Sequence, residues 1–387
     1  MYRFERASDC RALLENGRLW DSLAGDSPLR QTAWLGSWWD HFGDRERSFF
    51  IVARDENYEV RAILPLCSDA PQHGSLRFVG QGEACSDGLS LLCAAADADS
   101  VGFEMGYWLA THATDGERWN LMDLDGVIAG DRAMIALTKG LSAGGASIHV
   151  QSRMNTWFKS TTDSWEAYLS NLSKPRRRST KRLATKIDDT PGLSRHVSGD
   201  EAELRSDLNA MIQLHQHRWR EAGQPGSFAD PMFQEFIHDS AKRFLQRGRL
   251  RMQTLRRDGE VIAGELQMVG SDGALTIYST GMNTQFAALE PGRVMTIETL
   301  RHAYQHSLPG IDYLRGDEAY KAQLGAEPRR IARLRVVPGT AWGRLNHAAW
   351  KSAFEFKQWA RRRKGSEPIV VLPGLENQPI VSPSLAQ

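Results

Sequence analysis

The sequence predicts a mixed α/β protein made of two halves, each with a mixed, mostly antiparallel central sheet flanked by helices. The length of 387 residues favours two halves, because one hydrophobic core rarely serves more than about 250–300 residues. The composition is that of a globular chain, with 41% hydrophobic and 25% charged residues. Strand and helix signals alternate along both halves, which is typical of an α/β fold.

Changes in composition divide the chain into four segments. We expect an N-terminal half over 1–160, a basic helical junction over 161–190, a C-terminal half over 191–340, and a C-terminal helix with a loose tail over 341–387. The tail is expected to be loose because Pro, Ser and Asn are frequent from Pro368 onward, and chain ends are often poorly ordered.

The C-terminal half has the clearer signals. Ser198 and Glu201 form an S-x-x-E capping box at the start of a helix. Asp230, Pro231 and Gly248 suit the N-cap, the first position and the end of a second helix. The predicted helices are 201–222, 231–247, 293–306 and 318–324, and the predicted strands are 193–198, 249–255, 261–269, 274–280, 311–314 and 331–337.

The N-terminal half gives a weaker version of the same plan. The predicted helices are 7–24, 30–42, 99–114 and 130–143, and the predicted strands are 48–54, 59–66, 75–80, 88–92, 118–123 and 147–153. The two halves show no quotable sequence repeat, so the duplication is inferred from the order of elements alone.

Segments in both halves resemble one known family. They are QTAWLGSWWDHFG (31–43), ILPLC (63–67), LRFVGQGEACSDGLSLL (76–92), RRRSTKRL (176–183), LHQHRWREAG (214–223), LEPGRVM (289–295) and IDYLRGDEAYKAQLG (311–325). They resemble the GNAT-superfamily acetyltransferases that include CelD of cellulose biosynthesis, distant relatives of the Fem aminoacyl transferases. The resemblance spans about 15–340 and implies tandem GNAT-like halves. It also implies acyl transfer from a CoA thioester to an amine or hydroxyl.

A donor site is expected where the helix over 293–306 begins. A helix N-terminus attracts phosphate, and Gly292 lets the backbone approach closely; alone, the Pro-Gly pair would indicate only a turn. Many relatives have a Q/R-x-x-G-x-G/A loop, whereas this loop offers a single glycine. The donor is therefore acetyl-CoA or another acyl-CoA, an acyl carrier protein, or an aminoacyl-tRNA. The predicted donor-binding residues are Pro291, Gly292, Arg293, Val294 and Lys321.

Four residues are candidates for acid–base catalysis. The resemblance implies a tyrosine near Tyr320 that protonates the CoA thiolate, although this ring could simply be packed. Asp317 and Glu318 follow a strand, where open α/β sheets place their ligands. They also suit the N-cap and first turn of the next short helix. Glu265 lies within a strand and faces either solvent or the cleft.

Other polar and aromatic residues have simpler interpretations. His215 and His217 lie two apart on a helix and face different directions, so we expect no metal site. Asp87 could face an acceptor cleft or form a turn. The tryptophans of one helix either pack in the core or line such a cleft; they are Trp34, Trp38 and Trp39. The cysteines lack a C-x-x-C pair and are interpreted as reduced thiols; they are Cys10, Cys67, Cys85 and Cys93.

The charge balance and the N-terminus limit the partners and the location. The 48 Lys and Arg nearly balance the 47 Asp and Glu, so any binding to nucleic acid or an anionic membrane needs a local patch. The basic run 174–186 lacks interleaved aromatic residues, which argues against base stacking. The N-terminus is charged where a signal peptide is apolar, and no segment is long enough to span a bilayer. We expect a cytoplasmic protein.

Three functions remain open at this point. The first is acyl transfer to a small molecule or saccharide acceptor, such as a polysaccharide precursor. The second is a Fem-like transfer from aminoacyl-tRNA, which the basic junction would serve. The third is a non-catalytic accessory role in exopolysaccharide synthesis, because a fold alone does not establish activity. The oligomeric state stays open.

Overall fold

The structure, a computed structural model, describes residues 2–69, 75–113, 118–363 and 369–376. The chain forms two compact units. The first unit comprises Met1–Thr156, Arg315–Asp317 and Pro328–Gln387, and the second comprises Trp157–Leu314 and Glu318–Glu327. Among the helices of the described segments, none is long and apolar enough to cross a membrane.

The N-terminal elements agree with the predicted types, with local differences. The predicted helix over 7–24 is two helices, because the Asn16 side chain accepts a hydrogen bond from the Leu19 N–H and caps the second. The strand at Arg3–Arg6 was not predicted, and the predicted strand over 88–92 is present only as Leu92–Cys93. Residue 114 of the predicted helix over 99–114 lies outside the described residues. The strands are β1 (Arg3–Arg6), β2 (Glu46–Arg54), β3 (Val60–Asp69), β4 (Ser75–Phe78), β5 (Leu92–Cys93), β6 (Leu121–Ile128) and β7 (Ser147–Ser160). The helices are α1 (Cys10–Glu15), α2 (Gly17–Leu23), α3 (Thr32–Phe42), α4 (Ala98–Thr111) and α5 (Arg132–Ala143).

The later elements follow the predicted order closely. Each predicted strand and helix of 193–337 is present, with ends shifted by a few residues. The predicted tail contains one short strand, and its residues 368 and 377–387 lie outside the described part of the chain. The helices are α6 (Trp165–Asn171), α7 (Lys174–Ala184), α8 (Glu201–Glu221), α9 (Pro231–Gln246), α10 (Pro291–Gln305), α11 (Ala319–Gln323) and α12 (Ala341–Arg363). The strands are β8 (Leu193–Val197), β9 (Leu250–Arg257), β10 (Glu260–Val269), β11 (Leu275–Met282), β12 (Gly310–Arg315), β13 (Glu327–Val337) and β14 (Val370–Leu372).

Each unit has its own run of mostly antiparallel strands. In the first unit the order is β1-β2-β3-β4-β6-β13-β7, with β5 beside β3 and β14 beside β7. There β4 and β6 pair in parallel. In the second unit the order is β8-β9-β10-β11-β12, and only β11 and β12 are parallel. The predicted mixed, mostly antiparallel sheets flanked by helices are confirmed.

The start of α8 differs from the prediction. Its N-cap is Asp200, whose carboxylate accepts hydrogen bonds from two backbone N–H groups of the first turn, both at 2.9 Å. The Ser198 hydroxyl instead donates to the buried carboxylate of Asp207 at 2.9 Å. The predicted capping box of Ser198 and Glu201 is therefore wrong, because the serine hydroxyl satisfies a buried acid rather than the helix end.

Removing the Asp200 side chain tests its assignment as the N-cap of α8. Asp200→Ala is expected to lower the free energy of unfolding by about 1 kcal/mol, because it leaves helix N–H groups without their acceptor. Urea denaturation followed by circular dichroism measures the change. Ser194→Ala, at an exposed position on β8, is the control and should leave the midpoint unchanged. Equal midpoints for Asp200→Ala and the wild-type protein would contradict the assignment of the cap.

Candidate active site

Two parallel strands of the second unit separate near their carboxyl ends. β11 and β12 pair only where Leu275 faces Ile311 and Thr276 faces Asp312. Beyond these pairs lies a cavity of about 410 Å³, lined from the two strands by residues that include Ile277 and Tyr313. Ligands of open α/β sheets bind outside the carboxyl ends of the strands. The cavity is therefore the candidate active site.

A buried carboxyl group lines this cavity. Glu265, in the middle of β10, is only 2% exposed. One of its oxygens accepts hydrogen bonds from Gln267 Nε2 at 2.5 Å and from Thr299 Oγ1 at 2.7 Å. Burial raises the pKa of Glu265, and this effect outweighs the opposing hydrogen bonds and the positive charge of Arg251. Glu265 therefore loses its proton at a higher pH than an exposed glutamate does.

Two tyrosines approach the same cavity. The rings of Tyr313 on β12 and Tyr320 on α11 meet edge to face, with centroids 6.3 Å apart. The Tyr313 side chain is buried, and its hydroxyl has no hydrogen-bond partner within the described residues. Burial and the Glu265 carboxylate raise the pKa of Tyr313 and Tyr320 above the ordinary tyrosine value. Both hydroxyls therefore stay protonated at neutral pH.

The N-terminus of α10 forms another wall. Glu290 precedes the helix in a left-handed conformation, with φ of 54°, and its carboxylate pairs with Arg182 and Arg293. Gly292 and Arg293 line the cavity, and Arg293 Nη2 also donates to Ser179 Oγ at 2.9 Å. The first N–H groups of a helix have no acceptor within the helix, so this end suits an anion.

The predicted basic junction supplies part of the rim. Within it, α7 packs on α10, and Arg301 of α10 donates to the Ala184 carbonyl at the end of α7. Arg176 of α7 and Arg218 of α8 line the cavity with Arg293. These three guanidinium groups and the helix N-terminus suit a ligand that carries phosphate groups.

The remaining predicted donor-binding residues do not line the cavity. Pro291 and Val294 are buried, and Val294 belongs to the hydrophobic core. Lys321 is only 3% exposed, and its Nζ donates to the Leu314 carbonyl at 3.3 Å and pairs with Glu318 at 2.9 Å. It thus holds the turn between β12 and α11 rather than lying on the surface.

Two predicted acids have structural partners. Asp317 belongs to the first unit and accepts a hydrogen bond from Asn155 Nδ2 at 2.9 Å. The N-cap of α11 is Glu318, and its side chain pairs with Lys321 instead of capping the helix. The interpretation of Asp317 as the cap is therefore wrong, because the turn before α11 is one residue longer than expected.

The histidines of α8 have local partners. Trp219 Nε1 donates to His215 Nε2 at 2.9 Å, and burial lowers the pKa of His215 to about 4. His217 lies 3.2 Å from Glu221. Across the described ranges, no group of three or more His, Cys, Asp or Glu side chains could hold a metal ion.

The polar and aromatic residues singled out in the first half contribute to its interior. Asp87 is buried and forms an ion pair with Arg315, whose Nε lies 2.7 Å from a carboxylate oxygen. Trp34 and Trp38 are completely buried, and Trp34 Nε1 donates to Ser86 Oγ at 2.8 Å. These contacts favour the structural interpretation of all three residues.

Several cavity residues were not singled out from the sequence. Tyr313 was missed, although its alternation with Ile311 on β12 places both on one face. Arg218 lies in the segment LHQHRWREAG, in which only the histidines were considered as possible ligands. Arg176 was considered only as part of a basic run. No pattern in the sequence indicates that these side chains line the same cavity as Glu265, because they come from separate elements.

Comparisons with known proteins agree with this geometry. Residues 174–322 match a family described as an acetyltransferase (GNAT) domain. No curated protein matches the chain. Among solved structures, FemX is 12% identical, with a TM-score of 0.58, and the match covers 85% of this chain and 96% of that chain. A conserved protein of unknown function from Bacteroides thetaiotaomicron VPI-5482 is 9% identical, with a TM-score of 0.55 and coverages of 87% and 100%.

A third similar structure is the C-terminal domain (DUF2156) of a protein assigned as a lysylphosphatidylglycerol synthetase from Agrobacterium fabrum. It is 13% identical, with a TM-score of 0.51 and coverages of 87% and 96%. At such identities the likeness concerns the fold alone, and the family match covers only residues 174–322. Membership of the CelD-like branch stays a prediction. The matched stretch runs from α7 to α11, so the cavity walls described above lie in the part of the chain that is similar to an acetyltransferase (GNAT) domain.

Proposed function

We propose that the second unit transfers an acyl group from a CoA thioester to an amine or hydroxyl of a small molecule or polysaccharide precursor. The observation that supports this proposal is that three features line one cavity. They are the buried carboxyl of Glu265, the Tyr313 hydroxyl, which has no hydrogen-bond partner among the described residues, and the N-terminus of α10. Acyl transfer requires a base, a proton donor and an anion site, and this cavity offers all three.

The positively charged end of the cavity is the end that we assign to the acyl donor. The N–H groups at the start of α10 would bind the pyrophosphate of the donor, and Arg176 and Arg293 would add charge-assisted hydrogen bonds. Such an arrangement leaves the thioester directed toward the separated strands.

The proton transfers follow from the two kinds of acidic group. Glu265 would accept the proton of the attacking amine or hydroxyl as the new bond to the acyl carbon forms. The carbon–sulfur bond then breaks, and Tyr320 would donate its proton to the departing thiolate. Tyr313 lies against Tyr320 and would donate a hydrogen bond to the carbonyl oxygen or to Tyr320 itself.

The direct test is release of free thiol. The purified protein is mixed with acetyl-CoA or a longer acyl-CoA and a panel of amines, amino sugars and saccharides, and thiol is measured with a chromogenic disulfide. Saturable release that requires an acceptor supports the proposal and removes the non-catalytic accessory role. An absence of both CoA binding and thiol release with the whole panel would refute it.

Substitution of Tyr320 tests the assignment of the proton donor. Tyr320→Phe is expected to lower kcat by roughly 100-fold with an unchanged KM for the donor, because the thiolate must leave without a proton. The measurement is initial-rate kinetics of thiol release. Tyr107→Phe, which alters an exposed tyrosine of α4, is the control. If Tyr313→Phe lowers kcat while Tyr320→Phe does not, the role belongs to Tyr313 instead.

A second candidate is transfer from an aminoacyl-tRNA. The observation that favours it is the position of α7, whose exposed Arg176 lines the cavity and whose sequence KPRRRSTKRLA contains no acid. A gel shift with total tRNA at several salt concentrations distinguishes the donors, because phosphate contacts weaken steeply as salt rises. A complex at low salt would favour this donor, and free tRNA at low salt would exclude it.

A further inference from the structure

Helix α12 exposes a stripe of large apolar side chains. Trp342, Leu345, Phe356 and Trp359 are 64%, 62%, 66% and 48% exposed. Their spacing of three, eleven and three residues keeps them on one side of the helix at about 100° per residue. The rings of Phe356 and Trp359 also stack, with centroids 5.6 Å apart. Exposed apolar patches of this kind mark interaction sites.

The opposite side of α12 fixes the orientation of this stripe. The rings of Trp350 and Phe354 pack against His149 of β7, with centroid distances of 4.9 and 5.1 Å. Gln358 is buried and exchanges two hydrogen bonds with the backbone of Ile369, at 2.7 and 3.1 Å. A helix packed on a protein core normally turns polar residues outward. Here the outward side is apolar, although the inward side already has its partner.

The charge of α12 limits what can cover the stripe. The helix contains six Lys or Arg and one Glu, a net charge of +5. By helical spacing, Arg344 flanks the stripe on one side and Lys357 on the other. The Arg363 guanidinium lies over the Trp359 ring, 4.1 Å from its centroid. Two copies of this face would bring like charges together, which disfavours self-association through the stripe.

We propose that α12 docks the protein on an anionic phospholipid surface. Tryptophan, phenylalanine and leucine on one face with lysine and arginine beside them are the composition of helices that lie in the membrane interface. The aromatic and leucine side chains enter the boundary between headgroups and acyl chains. The flanking cations contact lipid phosphates. The proposal concerns a surface of the first unit and does not depend on the acyltransferase proposal.

Vesicle sedimentation with the full chain tests this inference. The protein is expected to sediment with vesicles made of phosphatidylcholine and phosphatidylglycerol in equal parts, and far less with pure phosphatidylcholine. Added salt should weaken the binding because the lipid surface potential is screened. Arg344→Gln and Lys357→Gln should each lower the apparent affinity for the anionic vesicles by roughly fivefold at low salt.

A variant with serine in place of Trp342, Leu345, Phe356 and Trp359 should lose the binding. Phe103→Ser with Tyr107→Ser removes exposed aromatic side chains from α4 instead and is the matched control; it should bind as the wild type does. An unchanged far-ultraviolet circular dichroism spectrum checks that each variant is folded. Wild-type protein that stays in the supernatant at low salt would overturn the proposal. So would a dimer, seen by analytical ultracentrifugation, that the serine variant abolishes.

Discussion

Glu265→Gln is expected to lower the rate of acyl transfer by roughly 10²- to 10⁴-fold, the usual contribution of a positioned general base. The amide oxygen of glutamine can still accept the hydrogen bonds from Gln267 and Thr299. It cannot take a proton from the acceptor at neutral pH. Initial rates of thiol release measure the loss, and calorimetric titration with CoA should give an unchanged affinity.

The pH dependence gives a second readout of the same residue. Burial raises the pKa of Glu265, so the wild-type kcat/KM should rise with pH through a value above the ordinary glutamate pKa of about 4.3. The ionised form is the base, and it accumulates only above this raised pKa. The residual activity of Glu265→Gln should not show this rise of kcat/KM with pH. A wild-type profile that is flat across this range would remove Glu265 from the mechanism.

Stability measurements separate a catalytic loss from misfolding. The pKa of Glu265 is raised in the folded state, so the folded protein favours the protonated carboxyl. Ionisation therefore costs stability as pH rises above the unfolded value of about 4.3, and the full cost is reached above the folded pKa. Glu265→Gln should melt higher than wild type at neutral pH and equally at acid pH. Glu260→Gln, at the exposed start of β10, is the control and should change neither the rate nor this comparison.

Gly292→Trp is expected to lower the affinity for CoA by roughly 100-fold or more. This loss corresponds to about 2.8 kcal/mol of binding free energy. A Cβ atom at Gly292 would lie 2.9 Å from the Met282 sulfur, and an indole would extend into the cavity at the helix N-terminus. Gly292→Ala should have a small effect, because the flexible Met282 side chain can move. Calorimetric titration with CoA and acetyl-CoA measures both variants.

The control for this substitution is Gly199→Trp. Gly199 is exposed, and a Cβ atom there would meet only Glu203 Oε2 at 3.6 Å. This variant should bind CoA as the wild type does. If Gly292→Trp also binds CoA normally, the donor does not use the start of α10, and a carrier-protein or tRNA donor gains support. Loss of binding in both variants would indicate a general effect of the added indole.

The order of elements in the second unit was predictable from local signals. Helix α9 begins and ends as expected, at Asp230 with Pro231 and before Gly248. Caps and turns depend on neighbours a few residues away, so the sequence indicates them directly. The prediction failed where a side chain has a distant partner. Ser198 binds Asp207 instead of capping α8, and Asp317 binds Asn155 instead of capping α11.

The sequence by itself determined the α/β class, the element order and four residues that line the cavity: Glu265, Gly292, Arg293 and Tyr320. Only the tertiary structure decided that Tyr313, Arg176 and Arg218 join them, because these side chains come from β12, α7 and α8 and meet through the packing of separate elements. It also placed Lys321 inside the protein. Periodicity and capping act over a few residues, whereas burial and the pKa of Glu265 depend on what the whole fold brings against it.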